Sequence, residues 1–239
     1  MVADSASFAF ALVYDYLLPI PPGLLAVLAF IASGIVSAVP ADVGARDTGI
    51  EARAIPDLSL DFAQWIWTGE EGSPGGGAPV GWRGFRKNIS HIQTGCPVCV
   101  TFAIASDNGY IVYVNGEAVG DNLAKVGSTL AFLQLDVYSV ALNPGGANVI
   151  AVNSTNIGSA ASVVVTGIVQ YGDGSEEAFV SDNSWLAFPG ASPPAGFQNP
   201  LFVDAGWTPA SQQGFMGSGP WGDPSILPFT GTECQVFTS

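Results

Sequence analysis

Basic residues are scarce in this chain of 239 residues, which has six Lys and Arg against twenty Asp and Glu and a net charge of −14. Proteins that bind nucleic acid take much of their affinity from Lys and Arg side chains that neutralise backbone phosphates. Anionic membrane surfaces attract proteins through the same side chains. The shortage therefore argues against nucleic acid and against an anionic membrane surface as partners.

Histidine is nearly absent, since His91 is the only one in the chain. A Ser-His-Asp or Cys-His arrangement would have to use that residue, and no G-x-S-x-G motif is present. Glycoside hydrolysis needs two carboxylates that lie close together. Two pairs of glutamates are adjacent in sequence, Glu70-Glu71 and Glu176-Glu177, but neighbouring side chains on a strand point to opposite faces, so neither pair is placed to act as acid and base. We therefore expect a protein without catalytic activity.

Cysteine is also rare, at three residues. Cys96 and Cys99 form a C-x-x-C motif at the start of a strand, and no βαβ pattern surrounds it, which argues against a thioredoxin-like role. We expect a disulfide, either between Cys96 and Cys99 or from one of them to Cys234. The alternative is a zinc site of His91 and the three cysteines, whose spacing matches no standard zinc finger.

Glycine and proline, at 30 and 17 residues, are abundant and favour a fold with many turns. The stretch Val100–Gly120 alternates apolar and polar residues as a half-buried strand does, and Asn115-Gly116 predicts a tight turn. A second strand pair is predicted across 137–153, with a turn at 143–146. A third hairpin is predicted at Val163–Val180, and Phe202-Val203 and Gln235-Val236-Phe237 are candidates for short strands.

The order of these segments resembles the galactose-binding-domain-like β-sandwich, and within that group the accessory and rhamnose-binding domains of α-L-rhamnosidases. The segments that carry the resemblance are Trp65-Ile66-Trp67, Phe85-Arg86-Lys87, SDNGYIVYVNG at 106–116, NVIAVNSTN at 148–156, Tyr171-Gly172-Asp173-Gly174 and Ser181-Asp182-Asn183-Ser184-Trp185. The resemblance implies an all-β, jelly-roll sandwich and a carbohydrate partner. In the enzymes that it resembles, the catalytic groups lie on a separate helical barrel, which this chain lacks.

The chain divides into four parts on composition. We predict a signal segment at 1–42, a polar leader at 43–62, the sandwich at 63–188, and a loop-rich extension at 189–239 that packs on the sandwich or completes it. The uncharged run Gly23–Val39 resembles a signal-peptide core, although Asp4 and Asp15 precede it without Lys or Arg. A membrane anchor is the alternative, but the run is shorter than the ~20 residues that span a bilayer.

Two sequons agree with a secreted glycoprotein. Asn88 and Asn153 each begin the pattern Asn-x-Ser/Thr, which is the acceptor for N-linked glycan. We therefore expect secretion, with no stable membrane insertion after processing.

The candidate site for a sugar is the loop at Asp107 and Asn108. Sugar sites combine an aromatic face for the C–H side of the ring with planar polar groups for the hydroxyls, and some hold calcium through oxygen ligands. The resemblance implies that Asp107 and Asn108 contact the sugar or a calcium ion. The alternative is that Asp-Asn-Gly forms an ordinary turn whose side chains bond their own backbone.

Six tryptophans supply candidates for the aromatic face. Trp65 and Trp67 belong to a strand, where at least one faces the core. Trp207 and Trp221 stand among Gly and Pro in predicted loops, and we expect one of them to stack on the sugar, with packing in the core as the alternative. The sequence thus predicts a secreted, noncatalytic lectin-like module. The alternatives are a relative or fragment of a glycoside hydrolase and a structural wall or matrix protein.

Overall fold

The computed structural model describes residues 50–90 and 95–237. The strands in chain order are β1 (Ile50–Ala52), β2 (Gln64–Trp67), β3 (Gly81–Ile89), β4 (Pro97–Asp107), β5 (Gly109–Val114), β6 (Glu117–Asp121), β7 (Gln134–Ala141), β8 (Asn148–Asn156), β9 (Ser162–Tyr171), β10 (Glu176–Val180), β11 (Leu186–Ala187), β12 (Thr208–Pro209), β13 (Ser211–Phe215), β14 (Ser225–Ile226) and β15 (Gln235–Phe237). One short helix, α1 (Leu130–Leu133), and 3-10 turns at Leu123–Lys125 and Gly219–Trp221 complete the elements. None of the helices in these ranges is long and apolar enough to span a bilayer.

Two facing sheets confirm the predicted all-β sandwich. The first sheet has the order β13-β2-β9-β4-β7-β14, with β10 also paired to β9, and the second has the order β12-β11-β3-β8-β5-β6. Strands β1 and β15 form a separate antiparallel pair. The predicted segment 1–42 and His91 lie outside the described residues.

The core lies between the two sheets because the side chains of each strand alternate between its faces. Phe102 and Ile104 of β4 point inward from the first sheet, and Tyr110 and Val112 of β5 point inward from the second; all four are fully buried. Each such side chain contributes roughly 1.5–3 kcal/mol when it leaves water. The period-two pattern in the sequence therefore identifies the inner faces correctly.

The turns between strands agree with prediction at two of three places. Asn115 and Gly116 join β5 to β6 with positive φ angles of 53° and 98°, and β9 pairs with β10 as a hairpin. The pair predicted across 137–153 is not a hairpin: β7 pairs with β4 in the first sheet, and β8 lies between β3 and β5 in the second. The turn residues give no information on partners that are distant in sequence.

The C-terminal part of the chain supplies strands to both sheets. Strand β12 pairs with β11, β13 with β2, and β14 with β7. The strand predicted at Phe202-Val203 is wrong, because this segment crosses the outside of the second sheet, where Phe202 packs 6.1 Å from Trp207 between ring centroids.

A disulfide joins Cys99 of β4 to Cys234, and Cys96 is exposed and free. The bridge to Cys234 is thus confirmed, and the local Cys96 to Cys99 bridge is wrong. The zinc alternative is wrong as well, because two of its four ligands are consumed in the disulfide. Cys99 and Cys234 are both buried beside Val98.

Candidate functional site

Asp107 and Asn108 lie where the chain passes from one sheet to the other. Strand β4 ends at Asp107 in the first sheet, and β5 begins at Gly109 in the second, so that Asn108 is the whole connection. Alternation along β4 turns Ser106 inward, where its Oγ lies 2.6 Å from Ser154 Oγ, and turns Asp107 to the outer face. The predicted loop is therefore a tight crossing at one end of the sandwich, which we call the crossing end.

The carboxylate of Asp107 is buried, with 8% of the residue exposed. Its Oδ2 accepts a hydrogen bond from Trp221 Nε1 at 2.9 Å, and its Oδ1 accepts one from Asn108 Nδ2 at 2.7 Å. Burial raises the pKa of Asp107 above its ordinary range, and the bond from the indole opposes that shift. Both oxygens are thus engaged within the protein.

Asn108 fixes a neighbouring loop. Its backbone N–H donates to Thr155 O at 2.9 Å, and its side-chain Oδ1 accepts from Ile157 N at 2.7 Å. These bonds tie the crossing to the end of β8. They agree with the alternative that Asp107 and Asn108 form a turn whose side chains bond the local backbone. Asn108 is nevertheless only half-buried, so part of its side chain reaches solvent.

An apolar surface lies next to Asn108. Ile157 is 53% exposed, and Val126 and Gly127 approach the same place from the segment after β6. A Cβ on Gly109 would lie 2.6 Å from Val126 Cγ2, so a glycine is needed for this close approach. Sequence reasoning missed this surface because it is aliphatic and its members are distant along the chain.

Trp221 is not the exposed ring that its glycine and proline neighbours suggested. It is 1% exposed and packs on Trp65 with ring centroids 5.2 Å apart, outside the first sheet. The prediction that Trp221 stacks on a sugar is therefore wrong, because its ring is buried. Its indole instead serves as the hydrogen-bond donor to Asp107, since the C-terminal segment folds back over the outer face of β4.

Trp207 lies on the other side of the molecule, outside the second sheet. Its ring packs against Phe188, Phe197 and Phe202, and it is half-buried. A Cβ on Gly84 of β3 would lie 3.1 Å from its ring. The structure therefore does not bring Trp207 and Trp221 together, and Trp207 remains a prediction as a sugar contact.

The basic residues of β3 are structural. Arg83, 2% exposed, pairs with Glu70, and Arg86 pairs with Asp204 at 3.1 Å and stacks on Phe202. Buried guanidinium groups with such partners hold segments of chain against the sheet. Both guanidinium groups are therefore engaged in contacts within the protein.

The sequons differ in accessibility. Asn88 is exposed near the end of β3, whereas Asn153 lies in β8 between two neighbouring strands, with its Oδ1 buried. Of the two side chains, that of Asn88 is the more exposed. Glycosylation at either remains a prediction.

The crossing end offers oxygen atoms of the types that calcium prefers, from Asp107 and Asn108. Calcium takes six to eight oxygen ligands, and these two residues fall short of that number by themselves. Within 50–90 and 95–237, no group of three or more His, Cys, Asp and Glu is placed to hold a metal ion. Calcium at Asp107 therefore remains a prediction.

The comparisons with known proteins agree with the fold. No family model matches the chain. It is 32% identical to an alpha-L-rhamnosidase of Streptomyces avermitilis over 174 residues, which are 69% of this chain and 16% of the enzyme. The structure of that organism's alpha-L-rhamnosidase complexed with L-rhamnose matches with a TM-score of 0.62 and 29% identity, over 74% of this chain and 17% of the enzyme chain.

A lectin from Pleurotus ostreatus in complex with GalNAc is also similar, with a TM-score of 0.65 and 35% identity. The match covers 76% of this chain and 51% of the lectin, so the chain spans about half of the lectin's length and a small part of the enzyme's. These findings confirm the resemblance to a galactose-binding-domain-like, jelly-roll sandwich of the kind found in rhamnosidase accessory regions.

Proposed function

We propose that this chain is a noncatalytic carbohydrate-binding module that holds a neutral or deoxy sugar at the crossing end. The observation that carries the proposal is its similarity, in sequence and in fold, to a lectin crystallised with GalNAc and to part of an enzyme crystallised with L-rhamnose. Both molecules are neutral sugars, and this chain has the low basic content that suits neutral ligands.

The geometry of the crossing end supports this location. The half-buried amide of Asn108 keeps one N–H and one oxygen lone pair beyond its bonds to Asp107 and Ile157. Ile157 beside it offers an exposed apolar surface for the C–H side of a sugar ring. Asp107 supports Asn108 from beneath through the bond to its Nδ2. We therefore assign sugar contact to Asn108, with Asp107 as the residue that positions it.

Secretion is part of the same proposal. The Cys99 to Cys234 disulfide supports it, because such bonds persist in oxidising compartments. Exposure of Asn88 at the surface agrees with a glycosylated protein.

An accessory domain or fragment of a glycoside hydrolase is the second candidate. It is favoured by the match to 16% of a rhamnosidase, which leaves most of that enzyme without a counterpart. An assay with a chromogenic α-L-rhamnoside tests whether this chain alone hydrolyses a glycoside, and we expect no product above the blank.

The test of the proposed site is calorimetric titration of Asn108→Ala and Asp107→Ala with the best sugar from a glycan array. A shallow site of a few hydrogen bonds gives a Kd of about 1 mM, equivalent to about 4 kcal/mol. We expect Asn108→Ala to weaken binding about tenfold, and Asn88→Ala, at the opposite end of the sandwich, to bind as wild type does. Thermal melts of each variant check that it is folded.

A wild-type chain that binds no sugar across a broad array would favour the structural-protein alternative. Variants that are folded and bind as tightly as wild type would place the site elsewhere. Repeating the array with a chelator tests calcium, whose removal weakens binding if the ion is a ligand.

A further inference from the structure

A cleft of about 460 Å³ runs along the edge of the sandwich where β6 of the second sheet faces β7 of the first. Its lining includes Asp121, Lys125, Asp136, Tyr138 and Pro228, and a neighbouring cavity of about 490 Å³ continues it past Tyr138. Both volumes fall in the range of ligand sites, which is about 300–1,000 Å³. Neither Asp107 nor Asn108 lines it, so this edge cleft is separate from the proposed site.

Tyr138 lines both cavities. It packs on Phe102 of the core with centroids 5.6 Å apart, and it lies against the backbone of Gly120 in β6. A Cβ on Gly120 would come within 2.1 Å of the ring, so the contact requires glycine. The ring therefore bridges the two sheets and has a fixed position.

A chain of hydrogen bonds fixes the direction of the Tyr138 hydroxyl. Lys125 Nζ donates to Asp136 Oδ1 at 2.6 Å, and Tyr110 OH donates to Asp136 Oδ2 at 3.0 Å. Because that bond uses the only hydroxyl proton of Tyr110, the 3.1 Å contact between the two tyrosine oxygens must use the proton of Tyr138. The Tyr138 oxygen consequently offers only lone pairs to the cleft.

The charge of the cleft is negative overall, with Asp121 and Asp136 against Lys125. Burial raises the pKa of Tyr138, the hydrogen bond with Tyr110 opposes that shift, and the nearby carboxylates of Asp136 and Asp121 add to it, so the phenol stays neutral at physiological pH. Asp121 accepts a bond from Leu123 N at 3.0 Å through Oδ1, and it is exposed. The cleft thus combines acceptors, an ammonium donor and an apolar ring, the composition that hydroxylated ring compounds need.

We infer that the edge cleft is a second saccharide site, which takes a neutral hexose or an amino sugar and discriminates against acidic sugars. Tyr138 accepts a bond from a sugar hydroxyl, Asp121 accepts from a hydroxyl or an ammonium group, and Lys125 donates. An acidic sugar would place its carboxylate beside those of Asp121 and Asp136, where like charges repel. The inference rests on this geometry and not on the proposed site at the crossing end.

The test is an NMR titration of the ¹⁵N-labelled chain with D-glucose, D-glucosamine and D-glucuronic acid, up to about 50 mM, which is well above a millimolar Kd. We expect glucose and glucosamine to shift the amide signals of β6 and β7, and glucuronic acid to leave them unchanged. Tyr138→Phe keeps the ring and removes the acceptor, so it should weaken glucosamine binding about fivefold. Tyr113→Phe, on the outer face of the second sheet, is the matched control and should bind as wild type does.

Asp121→Asn provides a second variant at an exposed position, and it should reduce the preference for glucosamine over glucuronic acid. Asn108→Ala separates the two sites: the shifts of the β6 and β7 amide signals persist in this variant if the cleft binds independently.

The inference is overturned if neither neutral nor amino sugar shifts these signals, if folded Tyr138→Phe and Asp121→Asn both bind as wild type does, or if glucuronic acid binds equally well. It is also overturned if Asn108→Ala removes the shifts.

Discussion

At the scale of single residues, the pair of Trp221 and Asp107 shows how tertiary contacts change the role of a side chain. Both residues have neighbours typical of surface loops, yet they meet in a buried hydrogen bond of 2.9 Å. A buried carboxylate is unfavourable without donors, so the indole N–H stabilises Asp107 where it is. Trp65, against which Trp221 packs, has a buried indole N–H with no partner among the described residues.

Replacement of each tryptophan by phenylalanine tests the value of that bond. Trp221→Phe removes the donor to Asp107, whereas Trp65→Phe removes an indole N–H that makes no bond and thus controls for lost ring volume. We expect Trp221→Phe to lower the free energy of unfolding by about 1–3 kcal/mol more than Trp65→Phe does. Urea unfolding measures both, and equal losses would show that the bond contributes nothing.

At the scale of elements, strands β6 and β7 close one edge of the sandwich. They belong to different sheets and share no backbone pairing, so the contact of Tyr138 with Gly120 joins them through a side chain. Such an edge tolerates little change in volume, because the ring packs on Phe102 and its hydroxyl is hydrogen-bonded to that of Tyr110.

Gly120→Ala should therefore destabilise the fold. Its Cβ would overlap the Tyr138 ring, and displacement of a packed ring costs about 1–3 kcal/mol. Gly145→Ala is the matched control, because a Cβ there meets nothing within 4 Å, and it should change stability by less than about 0.5 kcal/mol. Thermal and urea unfolding provide the comparison; a Gly120→Ala chain as stable as Gly145→Ala would mean that the two sheets are not in contact here.

At the scale of the whole molecule, the disulfide ties the C-terminal part of the chain to β4 across 135 residues of sequence. That part carries β12, β13 and β14, which extend both sheets, and also Trp221 beside Asp107. A crosslink that closes a long loop restricts the unfolded chain and so favours the folded one.

Removal of the bridge by Cys99→Ala together with Cys234→Ala should lower the free energy of unfolding by about 2–4 kcal/mol. Cys96→Ser should leave it unchanged, because Cys96 is exposed and unbridged. Thiol labelling of the unfolded, unreduced wild type should find one free thiol, and Cys96→Ser should have none. Three labelled thiols in the wild type would contradict the disulfide.

Much of the fold was predictable from local sequence. Alternation in β4 and β5 identifies the inward residues, and Asn115-Gly116 predicts its turn, because both signals depend on neighbours along the chain. The partners of β7 and β8 were not predictable, since each pairs with strands that are distant in sequence. Among the predicted site residues, Asn108 forms the predicted connection between two strands, whereas Asp107 is the last residue of β4. The burial of Trp221 was missed because glycine and proline indicate turns and not what covers them.

The sequence by itself determined the all-β class, the inner faces of the strands, the shortage of positive charge and the break between two strands at Asn108. These follow from side-chain chemistry and from the period of a strand, which act over a few residues. Only the tertiary structure decided that Cys99 bonds Cys234, that Trp221 donates to Asp107, and that Tyr138 and Asp121 line one cleft. Each of these joins residues from separate segments, and their proximity results from the packing of two sheets and not from any local pattern.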